Sequence, residues 1–281
     1  MTTPIDLERL RRLADCRVAT GIDYHSSIDS TNHRAIALAR LGATEGTVVL
    51  ADEQTAGRGR GDHRWVSTRG LGVYVSVLLR PPATLLETPV FGVLGGAAAV
   101  HALRELTDVP FELKWPNDIL IEGRKVGGIL AEATAIGDGA GGPELSVVIG
   151  VGVNVHHDNT NLPTDTAIPA TSLALEGAAV GRTEVIESIL LRLGAFYENL
   201  IDAGVAPLEQ AVTAVWRERG RWVGFEGGTA PEKTGRALSI DLAHGRIHLE
   251  NRAGLPFDVD LTSFVRLRPA DGHDTRPPGV H

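Results

Sequence analysis

Apolar residues along this chain recur with two periods. Ile5, Leu7, Leu10 and Leu13 stand among charges at near-helical steps, and Pro4 suits a first turn, so a short opening helix is expected over residues 4–14. From Ile22 the pattern alternates toward Ile28. Ser30-Thr31-Asn32 then leads into Ala35, Ile36, Leu38, Ala39 and Leu41, a helix with Ser30 as its cap and Gly42 as its stop. Residues 47–51 read as a buried strand and the alternating residues 71–79 as the next strand. Pro81 and Pro82 break the chain before a helix over 90–106, whose Gly95-Gly96-Ala97-Ala98-Ala99 permits close packing on a sheet. Residues 111–115 and 119–121 read as strands. After a turn at Glu122-Gly123, residues 124–132 complete a hairpin. Residues 137–143 form a glycine-rich connection, and 145–155 a nearly continuous buried strand carrying Gly150, Gly152 and Asn154.

A loop with Pro163 and Pro169 reaches Thr171-Ser172-Leu173. Thr183 opens a helix whose Val185, Ile186, Ile189, Leu190, Leu193, Phe196 and Leu200 recur at steps of three and four. A second helix is expected over 208–219, ended by Gly220. Beyond it the period shortens to strands over 221–225, 236–242, 246–249, 257–259 and 263–267. The pattern therefore divides the chain into an extension with a short helix (1–20), a large unit (21–219), a small all-β unit (220–268) and a disordered tail (269–281).

Composition narrows the function. The 281 residues are 43% hydrophobic and 22% charged with a formal net charge of −8, enough length for a sizeable core. An acidic balance argues against coating nucleic acid, whose affinity comes mostly from phosphate neutralisation. The single cysteine, Cys16, rules out a disulfide framework and makes a thiolate metal cluster improbable. The N-terminal stretch lacks the apolar core of a signal peptide, and no run approaches the roughly 18 apolar residues of a membrane span. A cytoplasmic enzyme or binding protein, not a membrane protein, is expected.

The chemistry concentrates between the strands at 47–51 and 71–79. There Glu53-Gln54-Thr55-Ala56-Gly57-Arg58-Gly59-Arg60-Gly61-Asp62-His63-Arg64-Trp65 sets three glycines and three arginines beside a tryptophan. Glycine lets backbone approach a ligand closely, and the guanidinium fork suits carboxylate and phosphate. The stretch reads as an anion-closing loop, with a solvated basic loop as the bland alternative. Ser30-Thr31-Asn32 reads as a helix cap or as hydroxyl and amide groups for a small polar ligand. Without a motif around them, Asn117 and Asp118 would read as turn caps, Trp65 as core, and Lys114 as a solvated strand end. His156 and His157 have no partner at metal spacing and are expected at the surface.

Gly57-Arg58-Gly59-Arg60, Lys114-Trp115-Pro116-Asn117-Asp118 and Arg124-Lys125-Val126-Gly127-Gly128-Ile129-Leu130 occur in this order. Ser30-Thr31-Asn32 lies upstream and Gly150-Val151-Gly152-Val153-Asn154 downstream. Together they resemble the biotin protein ligase family over about residues 22–267. The resemblance implies an α+β fold: a mixed-sheet, class II synthetase-like catalytic domain with helices on one side, and a small SH3-like β-barrel at the C-terminus. It implies a ligase that uses biotin, ATP and Mg²⁺, forms biotinyl-5′-AMP, and transfers biotin to a lysine of the biotin carboxyl carrier domain of acyl-CoA carboxylases. A monomer or homodimer is expected.

The same resemblance assigns Ser30, Thr31, Asn32 and Gln54 to the biotin ureido head. It assigns Arg58, Gly59 and Arg60 to a loop closing over biotin and the adenylate phosphate, with Arg60 limiting escape of the intermediate. It assigns Lys125 to the biotin carboxyl and phosphate, and Trp65, Lys114, Asn117, Asp118 and Asn154 to the nucleotide, with Asp118 as a candidate Mg²⁺ ligand. Arg58, Arg60 and Lys125 are the candidate catalytic cations. Family members continue the loop with a further arginine before the tryptophan, where this chain reads Gly61-Asp62-His63-Arg64-Trp65. Only about 20 residues precede the first catalytic strand, fewer than the roughly 50 a folded domain needs, so no direct DNA binding is expected. Lipoate ligation and a non-catalytic biotinyl-adenylate sensor are the competing readings.

Overall fold

A computed structural model describes residues 4–82, 85, 90–136, 144–226, 234–261 and 266–270. Helix α1 (Leu7–Arg11) is followed by β1 (Gly21–His25), α2 (Thr31–Arg40), β2 (Thr47–Ala51), β3 (Gly72–Leu79) and α3 (Val90–Leu106). Next come β4 (Phe111–Lys114), β5 (Asp118–Ile121), β6 (Arg124–Ile136), β7 (Glu144–Asn154), α4 (Arg182–Ala203) and α5 (Ala206–Val215). Strands β8 (Trp222–Glu226), β9 (Thr234–Asp241), β10 (Arg246–Glu250), β11 (Pro256–Asp260) and β12 (Arg266–Pro269) complete the chain. The glycine-rich connection at 137–143, most of the strand expected at 263–267, and the tail from 271 lie outside the described residues.

β1 to β7 form a mixed sheet of order β1-β2-β3-β7-β6-β5-β4 in which β1 and β2 pair in parallel and the remaining neighbours antiparallel. β8 to β12 form a separate five-stranded antiparallel sheet of order β11-β10-β9-β8-β12. The fold is thus α+β with two sheets.

The side-chain period of two splits the large sheet into two faces. Val48, Leu50, Val75, Val77, Ile149 and Val151 face the main core with α3, α4 and α5, whereas Val49, Leu78 and Val148 pack against Ala35 and Ala39 of α2. Helices therefore cover both faces, not one as the resemblance implied. This also explains why β3, expected to alternate between buried and wet positions, is buried at all eight residues. A strand sandwiched between layers has no solvent face.

Two helix ends differ from expectation. α1 spans only Leu7–Arg11 and leaves Pro4 outside, because Asp6 caps it by accepting the Arg9 N–H at 2.9 Å. α5 stops at Val215, and Trp216 turns extended to bridge Leu113 of β4 in parallel. Edge pairing has there replaced the last helical turn. Among the described residues, no helix is long and apolar enough to cross a membrane.

Candidate active site

The candidate site lies on the sheet face that α2 packs against, over Gly150 and Gly152 of β7. Its floor is backbone, because a side chain at Gly150 or Gly152 would collide with the groups above. A Cβ on Gly150 would lie 2.0 Å from Asn32 Oδ1, and one on Gly152 would lie 2.6 Å from the Trp65 indole. The two glycines that weaken β7 as a strand are what let Asn32 and Trp65 approach the sheet backbone this closely.

Ser30 caps α2, its hydroxyl accepting the His33 N–H at 3.4 Å, so the structural use of the triplet is realised at this residue. Thr31 and Asn32, buried in the first turn, reach inward. The Ser76 hydroxyl donates to Asn32 Oδ1 at 2.6 Å and lies 2.7 Å from the Thr31 hydroxyl. Asn32 Nδ2 donates to the Leu130 carbonyl at 3.1 Å and to Glu132 Oε2 at 2.9 Å. Gln54 Oε1 accepts the Thr31 N–H at 2.8 Å and its hydroxyl at 3.1 Å, while Nε2 donates to Ser67 Oγ at 2.8 Å. Every hydrogen-bonding atom of the Gln54 amide is thereby aimed by a neighbour.

The loop is folded as a small hairpin. The Gly59 N–H donates to the His63 carbonyl at 2.8 Å, the Trp65 N–H to the Gly57 carbonyl at 3.0 Å, and Arg58 bridges Arg64 across the strands. Arg58 leans onto Glu132, while Arg60 is exposed at the tip. Asp29, Ser30 and His33 join Gly57, Arg58, Asp62, His63 and Arg64 around a cavity of about 320 Å³. The residues of the departing Gly61-Asp62-His63-Arg64 stretch thus border the same hollow as Ser30. A larger cavity of about 700 Å³, lined among others by Glu209, Arg219, Asp241 and His248, contains none of the expected site residues.

Lys125 reaches the site through a β-bulge. Ile119 pairs with Gly127 but Leu120 with Lys125, so Val126 is the extra residue and packs in the main core. Without the bulge, strict alternation would place Lys125 on the core face with Gly127. With it, Lys125 joins Gly128 on the site face, and bulges commonly re-aim side chains in this way beside active sites. Its Nζ lies 2.5 Å from Asp118 Oδ1 and 5.6 Å from the centre of the Trp65 ring. Lys114 Nζ approaches the other oxygen of Asp118 at 4.0 Å. The segment after Pro169 zips along Lys125: its N–H donates to the Pro169 carbonyl at 2.7 Å and its carbonyl accepts the Thr171 N–H at 2.9 Å.

Asn117 and Asn154 are spent on backbone. Asn117 Nδ2 donates to the Ile129 carbonyl at 3.0 Å, and Asn154 Nδ2 to the Thr171 carbonyl at 2.9 Å. Both hold neighbouring chain in place and support the lysine strand. Asp118, engaged by Lys125 and Lys114, does not fit a resident cation site, and no three metal-ligating side chains converge among the described residues.

Four contributors escaped the sequence reading. Ser76, Ser67 and Glu132 are the partners that orient Asn32, Gln54 and Arg58. Glu218 is buried behind the Lys114–Asp118 turn, where it accepts the Trp115 N–H at 3.2 Å, and burial pushes its carboxyl up to about 7. His157, expected at the surface, is buried instead; neither ring nitrogen has a hydrogen-bond partner, and burial lowers its pKa to about 4. Burial also raises the Cys16 thiol, in keeping with an inert cysteine.

Comparison with known proteins agrees with this geometry. The biotin/lipoate A/B protein ligase family model matches residues 24–154. The bifunctional ligase/repressor BirA of Bacillus subtilis is 37% identical over 239 residues, covering 83% of this chain and 70% of that protein. The biotin–[acetyl-CoA-carboxylase] ligase of Paracoccus denitrificans is 33% identical over 80% of this chain and 92% of its own length. Among solved structures, the biotin protein ligase from Aquifex aeolicus in complex with biotin and ATP superposes with a TM-score of 0.72 at 26% identity, covering 89% of this chain and 99% of that one. The sheet, the glycine floor, the arginine loop and the bulged lysine strand all lie in the shared region, and the chain belongs to the biotin protein ligase family.

Proposed function

We propose that the chain activates biotin with ATP and ligates it to a lysine of a biotin carboxyl carrier domain. The biotin carboxylate attacks the α-phosphate, forming a mixed anhydride and expelling pyrophosphate. The carrier lysine amine then attacks the acyl carbon, forming an amide and expelling AMP. The first step brings anion to anion, so its barrier is lowered by positioning and by neutralising charge. Lys125, Arg58 and Arg60 supply the cations. Lys125 is held beside Asp118 and Trp65 by the Val126 bulge, and it would exchange Asp118 for the reacting oxygens.

The observation that carries the reading is the array of Thr31, Asn32 and Gln54 on a glycine floor, one bulged strand away from Lys125. A ureido ring has one carbonyl and two N–H groups that need partners in a closed pocket, and hydroxyl and amide groups meet that need. Lipoate has no such ring. Trp65, Lys114, Asn117, Asp118 and Asn154 form the nucleotide side of this reading, Asn117 and Asn154 by supporting its backbone. We read the five-stranded sheet as the SH3-like unit of a two-domain enzyme, and place the reaction in the cytoplasm.

Pyrophosphate release from ATP, measured with biotin and with lipoate, tests the assignment. Release with biotin alone is expected. Release with lipoate alone would make the chain a lipoate ligase, and release with neither acid would leave a sensor.

A further inference from the structure

The Lys114–Asp118 turn is held from outside its own sheet. Past the end of α5, Trp216 bridges Leu113, and the Arg217 N–H donates to the Leu113 carbonyl at 2.9 Å. Three residues on, the Gly220 N–H donates to the Ala237 carbonyl at 2.7 Å, and the Ala237 N–H donates to the Arg221 carbonyl at 3.0 Å. Residues 216–221 are therefore bonded on one side to edge strand β4 and on the other to β9 of the five-stranded sheet.

Glu218 lies in the middle of this splice and is 6% exposed. Its Oε2 accepts the Trp115 N–H, and Lys114 Nζ reaches the Trp115 carbonyl at 3.4 Å, so both ends of the motif's central residue are engaged. The cations that act on Glu218 are Lys114 and Arg217, the latter paired with Glu112, from which Arg221 Nη2 also lies 3.3 Å away. A carboxyl buried at this cost is not explained by stability, since an apolar residue would fill the space without a charge to desolvate. What it supplies is an acceptor for one peptide N–H inside the turn.

We propose that Glu218 is a positioning residue for nucleotide binding: it fixes the Trp115 peptide, and through it Lys114 and Asp118, and ties that turn to the five-stranded sheet. The proposal rests on reading the turn as the nucleotide side of the site.

Calorimetric titration of the full chain with biotin, and of the biotin-saturated chain with a non-reacting α,β-methylene analogue of ATP, separates the two affinities. Glu218→Leu fills the space but leaves the Trp115 N–H unpaired, and should weaken the nucleotide analogue about tenfold while biotin stays within about twofold. Glu218→Gln keeps a carbonyl acceptor and should restore nucleotide affinity to within about twofold of wild type. If Glu218→Leu does not fold, Glu218→Ser, too short to reach Trp115, should show the same split. Equal weakening of both ligands, no weakening, or a Gln variant as poor as Leu or Ser would overturn the proposal. A wild type that binds the analogue yet releases no pyrophosphate would refute the ligase reading while leaving the Glu218 comparison decisive. A wild type that binds no analogue would refute both.

Discussion

Arg58 and Glu132 meet in a two-pronged ion pair, Nη1 to Oε2 at 2.9 Å and Nη2 to Oε1 at 2.8 Å, and the same Oε2 accepts from Asn32 Nδ2. One carboxylate on β6 thus sets both an arginine of the loop and an amide of α2. Arg58 is half exposed, so the ion pair itself adds little to stability. Its consequence is geometric. Glu132→Ala should weaken biotin binding about tenfold, read by calorimetry, with a melting temperature close to wild type. Unchanged biotin affinity would remove Glu132 from the site.

Gly150 and Gly152 make separable demands. A methyl at Gly150 collides with Asn32 and one at Gly152 with Trp65, so the first should disturb the biotin array and the second the nucleotide side. Gly150→Ala is expected to raise the KM for biotin at least about tenfold, and Gly152→Ala the KM for ATP by a similar factor, since a displacement of about an ångström costs that much or more. Steady-state pyrophosphate release with each substrate varied in turn checks the split.

Lys125 is the cation closest to Asp118, and no other lysine approaches that carboxylate within 4 Å except Lys114 at its limit, among the described residues. Lys125→Met keeps the stem and removes the charge. A fall of about 10²- to 10³-fold in kcat for adenylate formation is expected in rapid-quench experiments, the usual scale for losing one preorganised charge-stabilising group.

Glu218 makes stability depend on pH in a direction opposite to most carboxylates. Its pKa rises from 4.5 to about 7 on folding, chiefly through burial, so its contribution is fully present below 4.5 and is lost as pH climbs through 7. Relative to Glu218→Gln, wild type should lose roughly 3 kcal/mol between pH 4.5 and pH 8, at 1.36 kcal/mol per pKa unit. Guanidinium unfolding of both proteins at the two pH values reads this change; a difference between wild type and Glu218→Gln that is the same at pH 4.5 and pH 8 would contradict it.

Local chemistry was legible where one stretch carries its own signal. The arginine loop, the strand at 47–51, the helix at 90–106 and the Ser30 cap all stand where the pattern of residues put them. Relations set by sheet register were not. Ser76 sits opposite Gly150 and Asp118 opposite Gly128, pairings that depend on how strands align across the sheet. The face reached by Lys125 depends on one extra residue, Val126, which no periodicity marks. The side on which α2 packs was equally hidden, because its Ala35 and Ala39 would suit either face. The residue pattern extends the second helix over Glu218, since helical spacing continues past Val215 and only pairing with the edge of β4 ends it.

Transfer of biotin to a carrier protein is the most direct test of the ligase function. Purified chain, ATP, biotin and a biotin carboxyl carrier domain should give a carrier one biotinyl group heavier, with the added mass on a single lysine after proteolysis. An unmodified carrier, under conditions where the chain binds biotinyl-adenylate, would contradict the ligase function and leave the glycine floor and arginine loop as a binding site alone.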